Sequence, residues 1–377
     1  MNATHRRSLP SARRAIATLL AVLGPAAAAL PAQEQPPEPP ELRWIDARSL
    51  DLEGRAFADR AAPFDRLPAR AETIVRAPVW ELSRHSAGMA VRFWTDAPRI
   101  EARWTLTSDR LEMPHMPASG VSGLDLYVRT ESGLRWVSAT RPNKKQNQAR
   151  LLGLRDKTDA PREYTLYLPL YNGIESLEIG VSADASFEGA PARPQPIVFY
   201  GTSITHGASA SRPGTCHVAI LGRRLDHPTV NLGFSGQGRM DAEIADLLAE
   251  IDAAVYVIDC LPNMTPALVA ERAEPFLRRL RALRPETPVL LVEDRTFAQA
   301  PFVPGRLAEH EARRRPLRSA FETLRAEDGA PLGYLEGTEL LGADGDDTVD
   351  GSHPSDLGFW RQANAFEPAL RALLSAR

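Results

Sequence analysis

Residues 197–205 read Ile-Val-Phe-Tyr-Gly-Thr-Ser-Ile-Thr. Four consecutive apolar residues form a strand with no wet face, and the Gly-Thr-Ser that follows breaks it. The rest of the chain repeats this beat. Residues 230–234, 253–259, 289–293 and 334–341 are further short apolar runs. Residues 216–225, 241–251, 266–283 and 310–326 lie between them with helical character, and 355–376 close the chain as a helix. Strands alternating with helices predict a parallel sheet covered on both faces, a three-layer α/β/α domain over residues 197–377. Reactive groups in such sheets gather beyond the carboxyl ends of the strands. The segments just after each strand are therefore where chemistry is expected.

Upstream the pattern differs. Residues 42–190 carry short strand-like runs at 91–95, 100–106, 125–130, 134–138, 163–168 and 176–181, rich in Val, Ile, Leu, Trp and Tyr and punctuated by Pro, Gly, Asp and Asn. Strands without intervening helices predict a β-sandwich or jelly-roll domain. Residues 191–196, Pro-Ala-Arg-Pro-Gln-Pro, read as a stiff linker between the two. Residues 33–41 form a Pro/Glu-rich, flexible leader.

The first 32 residues have Arg6, Arg7, Arg13 and Arg14, then an apolar, Ala-rich run ending in small residues before Gln33. This reads as a secretory signal peptide cleaved near Ala32, so export to the periplasm or the medium is expected. The run is short and contains Gly24 and Pro25, which makes it a weak membrane span. No stable membrane anchor is expected.

Without those residues the chain has 41 basic and 48 acidic side chains, a net charge of -7. A mildly acidic protein has no general attraction for nucleic acid or anionic lipid. Arg278, Arg279, Arg281 and Arg284 read as a solvated helix face rather than a binding patch. The only cysteines are Cys216, expected in a helix, and Cys260, expected at the end of a core strand. A disulfide and two buried thiols both remain open.

Four segments are placed to carry chemistry. Gly201-Thr202-Ser203-Ile204-Thr205 follows the first parallel strand; a serine there is either an exposed hydroxyl or an ordinary turn residue. It is not a G-x-S-x-G elbow, because Thr205 stands at the last glycine position. Asn231-Leu232-Gly233-Phe234-Ser235-Gly236-Gln237-Gly238 follows the next strand, with glycines that let backbone N–H groups approach a ligand. Asp259-Cys260-Leu261-Pro262-Asn263-Met264 follows the most apolar strand and offers the Asn263 amide, which otherwise bonds its own loop. Asp350-Gly351-Ser352-His353-Pro354 precedes the last helix. An Asp three residues before a His can brace its Nδ1–H and leave the other nitrogen for a nucleophile.

Taken in order, these four segments resemble the sequence blocks of SGNH/GDSL hydrolases, and Gly123-Leu124-Asp125-Leu126-Tyr127 resembles the signature of the GxDLY domain that precedes some of them. The first block departs from the common Gly-Asp-Ser by having Thr202, as in a subgroup beginning Gly-Thr-Ser-Ile-Thr. The resemblance implies a catalytic Ser203, His353 as its base and Asp350 as the partner of that base. It implies an oxyanion hole from the Ser203 and Gly236 N–H groups and the Asn263 side chain. Gly233 and Gly238 compete with Gly236. Asp344, Asp346 and Asp347 compete with Asp350, and His206 is a rival base. His115, in the loop Met113-Pro114-His115-Met116-Pro117, is a candidate to reach the site from the first domain.

No metal-ligand spacing, Walker loop or dinucleotide fingerprint is present, so no cofactor or metal is expected. The resulting expectation is an exported serine esterase acting on small acyl esters, with an acylated carbohydrate as a candidate substrate. An acyltransferase with the same triad is the first alternative. A non-catalytic carbohydrate-binding protein using Trp94, Trp104 or Trp136 is the second.

Overall fold

The computed structural model of the protein describes residues 41–327 and 331–376. The segment expected to be a signal peptide, and all of the leader except Glu41, lie outside the described residues.

Among the described residues, ten strands occupy the N-terminal half: β1 (Leu42–Asp46), β2 (Leu52–Glu53), β3 (Ala90–Thr95), β4 (Arg99–Leu106), β5 (Asp125–Thr130), β6 (Gly133–Ala139), β7 (Gln146–Gly153), β8 (Arg162–Tyr167), β9 (Ile174–Ser182) and β10 (Glu188–Gly189). They form two antiparallel sheets, β1-β9-β4-β7 and β10-β3-β8-β5-β6, with β2 paired on β3. Alternation makes one face of each sheet apolar. Ile100, Ala102, Trp104 and Leu106 of β4 meet Val91 and Phe93 of β3 in a shared core, with Leu177, Ile179 and Val181 of β9. Strand β7 is absent from the sequence pattern for a physical reason. It is an edge strand in which only Leu151 is buried, so its sequence Gln-Asn-Gln-Ala-Arg-Leu-Leu-Gly is mostly polar.

The C-terminal half holds β11 (Ile197–Gly201), β12 (Thr229–Gly233), β13 (Val255–Asp259), β14 (Val289–Val292) and β15 (Leu332–Leu335), all parallel, in the order β12-β11-β13-β14-β15. The helices are α1 (Ala77–Ser83), α2 (Ala118–Val121), α3 (Ser203–His206), α4 (His217–Leu225), α5 (Ala242–Ala249), α6 (Pro266–Leu283), α7 (Arg306–Glu327) and α8 (Asp356–Ser375). Alternate residues of β11 serve opposite faces. Val198 and Tyr200 pack into the core with α5, α6 and α7, whereas Ile197 and Phe199 pack with α4 and α8. The architecture is the expected three-layer α/β/α arrangement preceded by a β-sandwich. Two elements differ in extent. Helix α7 begins earlier than its apolar pattern suggests and carries Pro316 inside it, and β15 stops at Leu335 because a 3-10 turn (Gly337–Glu339) follows.

The two halves share their interiors. Leu67, Val75 and Val79 lie in the α5–α7 core, and Met116, Val121 and Leu170 lie in the α4–α8 core. Arg66 is fully buried, and its guanidinium donates to the carbonyls of Leu82 (2.6 Å), His85 (3.0 Å), Asn231 (3.1 Å) and Gly233 (2.7 Å). Within residues 191–196, Arg193 pairs with Glu53 and Asp226. Cys216 and Cys260 are both free and buried, so they do not form a disulfide. On α6, Arg278 pairs with Glu274 and Glu327, and Arg279 pairs with Asp246.

Asp294 follows β14 and is buried under α7. It accepts from His310 Nδ1 (2.6 Å), Arg313 Nε (2.9 Å) and Arg314 Nε (3.1 Å). The Phe297 N–H donates to His310 Nε2 (3.2 Å), which leaves the ring proton on Nδ1, facing the carboxylate. Burial alone would raise the pKa of this carboxyl group, but His310 and the two arginines outweigh it and hold the pKa below the ordinary carboxylate range. A folded-state pKa below the unfolded one gives stability that is present above the unfolded value, near pH 4, and lost as the pH falls through the folded value. Melting temperatures of wild type and Asp294→Asn measured from pH 6 to pH 2.5 should show the steeper acid-side fall in wild type; parallel curves would contradict this.

Candidate active site

Gly201 of β11 pairs with Gly233 of β12 on one side and with Asp259 of β13 on the other. The three strands therefore end at one level, at the point where chain order reverses across the sheet. Thr202 caps α3, its hydroxyl accepting from the Ile204 N–H (3.3 Å), and Ser203 is the first residue of that helix. The Thr205 hydroxyl donates to Asp259 Oδ2 (3.2 Å), and the other oxygen of Asp259 binds Arg295 in a fully buried ion pair. Arg295 also donates to Gln362 Oε1 of α8 (2.7 Å from its terminal nitrogen). A buried polar chain thus runs from the serine turn to the last helix. Thr205, at the position of the missing elbow glycine, is its first link.

The His353 loop arrives from the other end of the sequence. Thr348 and Pro354 form a bridge, and the Val349 N–H donates to the His353 carbonyl (2.9 Å). Gly351 has φ +88° and lies against Gln299, whose amide oxygen would be 2.0 Å from an added Cβ. Asp350 Oδ1 accepts from the backbone N–H groups of Ser352 (3.0 Å) and His353 (2.8 Å). Its Oδ2 is 2.7 Å from His353 Nδ1, and His353 Nε2 is 2.8 Å from Ser203 Oγ. Partial burial works against the Asp350 carboxylate, but the bonds from the His353 N–H and ring and the Ser352 N–H more than offset it, so its pKa is lowered. An ionised Asp350 fixes the imidazole proton on Nδ1 and turns a lone pair on Nε2 toward the serine.

Of the rival residues, Asp344, Asp347 and His206 are occupied elsewhere. Asp344 and Asp347 pair with Arg361. His206 is buried, its ring stacked on Tyr171 at 4.0 Å and its Nε2 2.7 Å from the Leu170 carbonyl, and burial drives its pKa far down. The three glycines separate by packing. A Cβ on Gly233 would sit 2.1 Å from the His206 nitrogen, and one on Gly238 would sit 2.2 Å from the Gly201 carbonyl oxygen. Those two permit close backbone approach. Gly236 instead has φ +70° and open space around it, in a turn closed by the Gln237 N–H to Phe234 carbonyl bond (2.8 Å). Asn263 ends a 3-10 turn (Leu261–Asn263) after β13. Its Oδ1 is buried without a partner among the described residues, so the side chain is not spent on its own loop.

Residues 194–371 match the GDSL-like lipase/acylhydrolase family, and residues 42–187 match the N-terminal domain of SGNH-hydrolase-type esterases. A solved structure from Bacteroides ovatus, described as a GDSL-like lipase, is 33% identical; the match covers 89% of this chain and 98% of that one, with a TM-score of 0.83. The chain belongs to the SGNH/GDSL hydrolase family. As a member it is a hydrolase acting on esters. No curated protein sequence matches it. A salicylyl-acyltransferase from a tetracycline biosynthetic pathway is 18% identical, covering 88% of this chain and 97% of that one (TM-score 0.71). A family two carbohydrate esterase from Cellvibrio japonicus is 12% identical, covering 89% and 98% (TM-score 0.58). At these identities the likeness is one of fold.

In this SGNH hydrolase the sandwich half reaches the serine directly. The Tyr171 hydroxyl donates to the Ser203 carbonyl (3.3 Å), and the partly buried ring stacks on His206. Nothing local in the sequence ties residue 171 to residue 203, so the tyrosine's contact with the serine turn is visible only in the fold. His115 lies at the tip of a tight two-residue turn between Met113 and Met116, and its ring is 6.3 Å from that of His353. Tyr171→Phe keeps the stacking and loses one hydrogen bond, worth about 1 kcal/mol. Steady-state kinetics on an activated ester should show kcat lowered about fivefold with KM unchanged; an unaltered kcat would deny the hydroxyl any part in holding the serine turn.

Proposed function

We propose that this SGNH hydrolase is an exported serine esterase that removes small acyl groups from esters, acylated carbohydrates being its substrate class, through an acyl-enzyme on Ser203. The observation that carries the reading is the line Ser203 Oγ, His353 Nε2, His353 Nδ1, Asp350 Oδ2, with contacts of 2.8 and 2.7 Å. A serine hydroxyl is a weak nucleophile near neutral pH and needs such a base. Ser203 Oγ attacks the ester carbonyl carbon while His353 Nε2 takes its proton. The carbonyl oxygen becomes an oxyanion, for which the Ser203 and Gly236 N–H groups and the Asn263 amide are the donors. Collapse breaks the bond to the alcohol, which leaves with the proton from His353. Water then attacks the acyl-enzyme by the same steps, giving the carboxylic acid and free Ser203. Asp350 stays ionised throughout and stabilises the imidazolium.

One feature favours water over an acceptor alcohol in the second half. The His353 and Asp350 side chains are 30% and 51% exposed, so solvent reaches the base. Acyl transfer needs that water excluded. The carbohydrate reading draws on the shared fold with carbohydrate esterases. Export draws on the basic and then apolar first 32 residues.

Ser203→Ala should remove hydrolysis of nitrophenyl acetate and labelling by a fluorophosphonate; a variant that keeps activity would sink the mechanism. Asp350→Asn should stay folded and lose about 10³–10⁴-fold in kcat, and Asn263→Ala about 10²–10³-fold. Release of acetate from acetylated xylo-oligosaccharides, measured with and without added acceptor alcohols, tests the substrate class. Ester products in place of free acid would identify a transferase instead.

A further inference from the structure

A cleft of about 800 Å³ opens where the β5–β6 hairpin of the sandwich faces α4 and α8, and none of Ser203, His353 or Asn263 lines it. Two tryptophans stand in its wall, Trp136 of β6 and Trp360 of α8, and each is 53% exposed. Exposed indoles normally swing free. These two are held. The Trp136 Nε1–H donates to the fully buried Asp125 (2.9 Å), and the Arg212 guanidinium lies 4.9 Å from its ring. Arg224 lies 4.1 Å from the Trp360 ring and is itself fixed by Asn364 (2.8 Å) and Glu367 (3.3 Å). Each indole thus has a guanidinium against it and still leaves about half its surface to solvent. Beside them, Arg135 is exposed, and its guanidinium makes no hydrogen bond or ion pair among the described residues.

From this arrangement we infer that the cleft is a second binding site, for an oligosaccharide carrying carboxylate groups. A pyranose ring presents a flat C–H face that packs on an indole, and rings held in place before binding lose little freedom on capture. A free guanidinium supplies the planar, bidentate match for a carboxylate. The site lies on the flank of the helix that follows the His353 loop, Trp360 being one helical turn beyond Asp356, so a chain bound there extends alongside the catalytic end of the same helix. This rests on the carbohydrate reading of the esterase site and gives that reading a polymeric, acidic substrate. Of the candidate tryptophans, Trp104 is buried in the sandwich core, whereas Trp136 presents an exposed face to the cleft.

Isothermal titration of the full chain with hexagalacturonate and with neutral xylohexaose tests it. Wild type should bind the acidic oligomer more tightly. Trp360→Ala should weaken binding about tenfold or more, and Arg135→Ala should remove the preference for the acidic oligomer. Trp360 is half exposed on a long helix, so its variant keeps the fold even if Trp136→Ala does not; circular dichroism melts verify this. Turnover of nitrophenyl acetate by Trp360→Ala should equal wild type, which separates this cleft from the triad. Binding in a protein without esterase activity would leave the cleft standing and fail the triad instead. Absent binding, binding unchanged in Trp360→Ala, or equal binding of a single-stranded DNA hexamer would each overturn the assignment.

Discussion

The parallel register of the β11–β12 and β11–β13 pairs is the constraint on which the site depends. With Gly201 level with Gly233 and Asp259, the serine turn, the glycine loop and the Asn263 turn leave the sheet side by side. A slip of one residue in either pair would turn each strand's side chains to the opposite face and unmatch the loops. The register is locked by burial, since every residue of β11, β12 and β13 is buried. It is locked again at the strand ends. Asn231 donates from Nδ2 to the Thr205 carbonyl (2.8 Å) and accepts from the Gly233 N–H (2.9 Å), while Thr205 reaches Asp259. Small residues at Gly201, Gly233 and Gly238 then let these backbones touch.

The sandwich contributes parts of this machinery from behind. Arg66 supplies the donors for the Asn231 and Gly233 carbonyls at the end of β12. Among the described residues its charge has no carboxylate in contact; four carbonyls and the face of Phe234, 4.9 Å away, surround it. Beside it, burial and the guanidinium push the pKa of His85 down to about 3, so that imidazole remains neutral. Asp125, from the Gly-Leu-Asp-Leu-Tyr stretch, is fully buried and accepts from Arg212 (2.7 Å) and the Gly214 N–H (2.8 Å). That ties the loop after the serine helix to the sandwich. The motif's aspartate is a structural anchor for the neighbouring half.

The parallel half was legible because each of its strands is apolar along its length and each helix follows a clear break. The Ser203, Asp350 and His353 contacts were legible for a different reason. Their order and the three-residue spacing resemble a known family, and the spacing alone suffices for an aspartate to brace a histidine. What escaped was non-local or polar. Strand β7 is an edge strand with polar outward residues, and α1 lies in a stretch with no strong apolar period. Tyr171, Arg66 and the Asp259–Arg295–Gln362 chain act across 30 residues or more of sequence, where only the folded chain brings them together. The choice among Gly233, Gly236 and Gly238 likewise needed coordinates, because the three differ only in what surrounds them.

The Asx turn at Asp350 has a mechanical consequence. One carboxylate holds both the backbone and the ring of His353, so the histidine and the aspartate travel as a single cassette. Any breathing of this loop leaves the pair's internal geometry unchanged and varies one coordinate, the gap between Nε2 and Ser203. Because that gap joins residues 150 positions apart in the chain, it is a single length set by how firmly two distant parts of the protein are held together, and in the proposed mechanism it sets the readiness to react.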